Sequence, residues 1–121
     1  MKREFLDYIE DIIEAMENAL NFLKEMSYDE FEKDKRTIYA VIRALEIIGE
    51  AVKKIPNSVK KLYPQIPWKD IAGMRDKLIH EYFGVDLKRV WKTVKEDLPN
   101  LKPIFEKILK DHKKKEIETN I

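Results

Sequence analysis

An all-α, up-and-down bundle of about five helices is what this sequence predicts, on three observations. Of 121 residues, 44% are hydrophobic and 39% charged, with only three glycines and five prolines, a balance that suits long helices with charged outer faces. Apolar residues recur every three to four positions over most of the chain, the period of one helix face. No stretch alternates apolar with polar as a half-buried strand would. The length is that of one domain with one sizeable core, expected over residues 1–112, with a polar tail at 113–121 that frays.

Each element has a local reason. Phe5, Ile9, Ile12, Met16, Leu20 and Leu23 form one stripe on a helix running to about Met26. Ser27 followed by Glu30 has capping-box spacing and starts a new segment anchored by Phe31. A second long stripe, Ile38, Val41, Ile42, Leu45, Ile48, Val52 and Ile55, is closed by Pro56, which has no N–H to continue the ladder. Residues 56–67 contain Pro56, Pro64 and Pro67 and read as a connector with one helical turn. A third helix starts near Pro67, passes Trp68, Ile71, Ala72, Leu78 and Ile79, and ends close to Gly84. Asp86 caps a fourth segment with Leu87, Val90, Trp91 and Val94, and Pro99 opens a fifth with Leu101, Ile104, Phe105 and Ile108.

Composition removes several function classes. With no cysteine there is no disulfide, thiolate zinc site or thiol catalysis, and two histidines make a protein-built transition-metal site improbable. The glycines at 49, 73 and 84 are too far apart for a phosphate-cradling loop, so no metal and no cofactor are expected. No apolar run approaches the roughly 20 residues of a membrane span, and the protein is expected to be cytoplasmic, without a membrane partner. The net charge of +1 conceals an asymmetry: residues 1–36 carry six Lys/Arg against eleven Asp/Glu, while residues 37–121 carry eighteen against twelve. An anionic ligand meets the second part first. A solvated charged face accounts for nearly all the carboxylates, and His112, between Asp111 and three lysines, is expected to be exposed and inert.

What remains is the run from Gly73 to Gly84. Arg75, Asp76, His80 and Tyr82 supply a fixed cation, a carboxylate, a group titrating near neutrality and a phenol. On a continuous helix Asp76 and His80 would be i, i+4 neighbours, so the carboxylate could orient the imidazole. Arg75 and His80 would lie about 140° apart around the axis. They could then meet at one phosphate only through a break near His80, or by two chains bringing their copies together. The plainer alternative is a surface ion pair, a hydrogen-bonded histidine at a helix end and an aromatic on the rim.

The pattern Arg75-x4-His80-x-Tyr82 resembles the signature of HEPN-domain proteins of the HepT group. The flanks Arg43–Ala51, Pro67–Met74 and Tyr82–Asp86 resemble that group's characteristic stretches, and the likeness extends to about residue 112. The resemblance implies a HEPN-like bundle and a metal-independent endoribonuclease acting on single-stranded RNA, the toxin of a toxin–antitoxin pair. It implies a homodimer whose motifs line one cleft. Arg75 and His80 match the catalytic pair and Asp76 the supporting polar residue after the arginine. Tyr82 matches the residue onto which a minimal nucleotidyltransferase antitoxin transfers AMP from ATP, silencing the toxin. No glycine here is followed by serine, as the transferase signature requires, so the transferase would be a separate protein. A second class of function also fits the chain: a non-catalytic HEPN-like module that binds a nucleotidyltransferase or a nucleotide.

Overall fold

The computed structural model describes residues 4–80 and 84–120, except the side chains of Arg75, Ile79, His80 and residues 114–120. The architecture is all-α, as the sequence predicts. Helix α1 (Phe5–Phe22) opens with the Glu4 N–H donating to the Asp7 carboxylate at 3.1 Å and buries Ile9, Ile12 and Met16 completely. After a turn in which Glu25 takes φ 64°, Ser27 and Glu30 cap α2 (Tyr28–Lys33) reciprocally, at 3.2 and 3.0 Å. Asp34 then caps α3 (Lys35–Lys53) by accepting from the Thr37 N–H at 3.1 Å and its hydroxyl at 2.9 Å. The two long stripes face each other: α1 packs chiefly on α3, with Val41, Leu45, Ile48 and Val52 closing the core.

The connector does hold one turn, α4 (Asn57–Lys60). Trp68 ties it down, its indole N–H shared between the carbonyls of Lys60 at 3.2 Å and Tyr63 at 3.0 Å. Where a single third helix was expected, there are two short ones, α5 (Trp68–Ala72) and α6 (Met74–Leu78), separated at Gly73. The helix does not reach Gly84. Residues Ile79–His80 (β1) and Gly84–Val85 (β2) pair antiparallel instead, Ile79 opposite Val85 and His80 opposite Gly84. Burial explains the early stop. Leu78 is committed to the core, and its carbonyl is taken at 3.0 Å by the Asp86 N–H rather than by a continuing helix. Gly84, at φ +79°, supplies the left-handed conformation on the return.

Asp86 caps α7 (Leu87–Lys92), as the sequence suggests, by accepting from the Arg89 N–H at 3.2 Å. The expected break at Pro99 is absent. A π-helical turn, Thr93–Asp97, leads straight into α8 (Leu98–Asn120). In that turn the Leu98 N–H reaches the Thr93 carbonyl, five residues back, and the wider register lets Pro99 sit in the first turn of α8 without ending the rod. The backbone read as a fraying tail is helical through Asn120. Lys95 pins the π turn to the end of α1, donating to the Leu23 carbonyl at 2.9 Å while its ammonium lies 5.0 Å from the centre of the Trp91 ring. Among the described residues, no helix is long and apolar enough to cross a membrane.

Candidate active site

The motif lies on the shortest elements of the fold, and the long ones position them. At Gly49, in α3, a Cβ would stand 3.3 Å from the Ile71 carbonyl oxygen, so α5 crosses α3 backbone to side-chain-free backbone. Ile71, Met74 and Leu78 then turn inward and are buried. Trp68 meets Phe105 edge to face at 5.5 Å, fixing the other side of α5 against α8. On the outer face Lys77 bridges to Asp70 at 3.2 Å.

Arg75 is the second residue of α6, and Asp76 beside it is exposed. His80 lies in β1, beyond the end of the helix. The side chains of Arg75 and His80 and all of Tyr82 lie outside the described residues. Two geometric expectations change. Since α6 stops at Leu78, Asp76 and His80 are not helical i, i+4 neighbours, and that route for orienting the imidazole is lost. The 140° offset of Arg75 from His80 likewise belongs to a continuous helix that does not form. The break that would let both serve one phosphate occurs two residues before His80.

His112 is also relocated. Instead of standing in solvent, it is half-buried, its Nδ1 3.0 Å from the Ile108 carbonyl and its ring edge to face with Phe5 at 5.0 Å. Next to it Tyr63 is buried and donates to Asp111 at 3.0 Å; burial first, and then the Asp111 carboxylate, push its phenol up to about 12. No sequence signal announced this cluster, because its partners lie about fifty residues apart. Among the described residues, no group of three or more His, Asp or Glu side chains could hold a metal ion.

Beside the motif, between α5–α6 and the π turn, opens a cavity of about 370 Å³. Lys77 and Leu78, which stand between Arg75 and His80 in the chain, line it, and so do Arg89 and Asp97 of the α7–π segment. No motif or spacing in the sequence singles out those last two.

The bundle thus holds Arg75 on a short helix and His80 on the extended segment beyond its end. The sequence profile of the family described as Ribonuclease HepT-like matches residues 12–108. The chain is 60% identical over 110 residues to a protein named probable ribonuclease HepT in Thermococcus cleftensis, covering 91% of this chain and 100% of that one. Two proteins of Methanocaldococcus jannaschii, each named as a candidate RNase, are 54% identical. One match spans 110 residues, 91% of each chain; the other spans 114, which is 94% of this chain and 98% of the relative. The chain belongs to the HepT-like ribonuclease family. No solved structure matches it.

Proposed function

We propose that this protein is a metal-independent endoribonuclease in which Arg75 and His80 act on the scissile phosphate of single-stranded RNA. The observation that carries the reading is the end of α6 at Leu78, which separates the two motif residues into a helix and an extended segment. In metal-free cleavage the 2′-hydroxyl oxygen bonds to the adjacent phosphorus and the bond from phosphorus to the 5′-oxygen breaks. A histidine side chain can take the 2′-hydroxyl proton or return one to the leaving oxygen, and that is the role of His80. Arg75 neutralises the charge that grows on the phosphoryl oxygens, and Asp76 supports the arginine. DNA, lacking the 2′-hydroxyl, is spared.

The protein acts as the toxin of a toxin–antitoxin pair, as a homodimer. A separate nucleotidyltransferase silences it by placing AMP on Tyr82, two residues beyond His80. The phenol, ordinarily titrating near 10, needs the transferase to supply base and magnesium-bound ATP. The added anion fills the cleft and repels the RNA backbone without any change of fold.

The test is cleavage of single-stranded RNA in EDTA. Activity lost in His80→Ala is expected; activity that survives the substitution, or that requires added metal, overturns the assignment. Incubation with ATP, magnesium and a nucleotidyltransferase encoded beside it should add AMP to the wild type and not to Tyr82→Phe, read by peptide mass. Sedimentation of the active protein as a monomer would refute the dimer.

A further inference from the structure

The cavity beside the motif has a floor of one character and a rim of another. Met16, Ile48, Met74 and Leu98 make its base apolar. At about 370 Å³ it falls within the size of small-ligand sites, which combine apolar walls with a few placed polar groups. Its rim is polar, and most of that polarity is already engaged. Lys77 is paired with Asp70. The Thr93 hydroxyl donates to the Arg89 carbonyl at 2.8 Å, and the Asn100 amide donates to the Glu96 carbonyl at 3.1 Å, both serving the backbone around the π turn. Arg89 and Asp97 are different. Both are exposed at the rim, and neither side chain has an ion pair or hydrogen bond among the described residues. The site thus presents one open donor fork and one open carboxylate over an apolar floor.

We infer that this cavity is a base-binding subsite for guanine in single-stranded RNA, an inference that rests on the ribonuclease reading. A carboxylate only accepts, and takes two parallel hydrogen bonds best. Guanine alone among the RNA bases presents two adjacent donors, N1–H and the N2 amino group, in front of such a carboxylate. Adenine and cytosine set a single amino donor beside a ring-nitrogen acceptor, and uracil flanks its one N–H with two carbonyls; each places an acceptor against Asp97. Arginine is matched to the guanine O6 and N7 acceptors. The Met74 side chain offers a thioether contact to an aromatic ring. Because Lys77 and Leu78 connect the cavity to both motif residues, the base it holds belongs to a nucleotide adjoining the scissile phosphate.

The test separates binding from cleavage. Titrating the isotope-labelled full chain with GMP, AMP, CMP and UMP should shift the backbone amides of Thr93, Asp97 and Asn100, with GMP bound at least about tenfold more tightly than the others. In Asp97→Asn an amide donor faces guanine's donors, and the preference should fall about 10- to 100-fold, as expected for loss of a charged hydrogen-bond partner. Mapping the ends released from random-sequence RNA should give cuts beside guanosine for the wild type and indifferent cuts for Asp97→Asn and Arg89→Ala. Cleavage without guanosine preference, or a preference unchanged in Asp97→Asn, overturns the subsite and leaves the ribonuclease intact. Guanine-selective shifts in a protein that cuts no RNA overturn the ribonuclease and support the subsite. Both substituted residues are exposed, so circular dichroism of the variants should match the wild type.

Discussion

Helices α1 and α3, of 18 and 19 residues, each open with a side-chain oxygen bonded to backbone N–H and bury a full apolar stripe. Helices α5 and α6, of five residues each, follow a proline and a glycine and contribute Ile71, Met74 and Leu78 to the core. A five-residue helix is far below the length that stands alone in water, so the motif end exists only because the long helices hold it. The difference separates the tasks: the α1–α3 side supplies stability, and the α5–α6 side spends it on placing Arg75 and His80 on different kinds of backbone.

That contrast can be broken from either side. The largest effect is expected from His80→Ala, which should lower RNA cleavage about 10²- to 10⁴-fold, the usual worth of a general acid or base, while thermal unfolding barely moves. Loss of activity accompanied by a collapse of the unfolding temperature would show that the motif end also carries stability. Phe105→Ala strikes the support beneath the motif end. Phe105 is fully buried under Trp68, and its removal should cost about 3–5 kcal/mol in denaturant unfolding and drag activity down with it.

Gly49→Ala probes the joint between the two sides. Alanine in the middle of α3 gains about 1 kcal/mol of helix propensity, yet its Cβ would press on the Ile71 carbonyl at 3.3 Å. The expected outcome is a stability change within about 1 kcal/mol and a several-fold fall in cleavage, because α5 must shift by a few tenths of an ångström. Unchanged activity would mean that the position of α5 is not critical. Ser27→Ala, remote from the motif, removes one cap and should cost about 1 kcal/mol with no change in specific activity.

The smallest effect is one of pH. Tyr63 titrates near 10 unfolded and is pushed up to about 12 folded, so its neutral form is favoured by folding. The stability it contributes is complete below pH 10 and is lost as pH rises from there through 12. Tyr63→Phe should flatten that part of the stability curve, measured by urea unfolding between pH 9 and 12. An identical alkaline slope in the variant would remove Tyr63 as the cause.

Much of this was legible because its causes are local. Ser27 with Glu30, Asp86 with the Arg89 N–H and the apolar stripes of α1 and α3 are interactions between residues three or four apart, and spacing in a sequence states them directly. The motif residues were legible as chemistry for the same reason, being confined to eight positions. What the sequence could not state depends on partners far away. Nothing between Leu78 and His80 is a helix breaker; α6 stops because the returning chain at Asp86 takes the Leu78 carbonyl. Pro99 reads as a helix start, and the π turn absorbs it. That turn is held by Lys95 on the Leu23 carbonyl, seventy-two residues back. His112 reads as solvated, and Phe5 at the other end of the chain covers it. Arg89 and Asp97 acquire meaning only as two charges at the rim of one cavity, unpaired among the described residues. Short-range hydrogen bonding and periodicity thus determined which residues become helix. Long-range burial decided where helices stop, and the candidate site lies at such a stop.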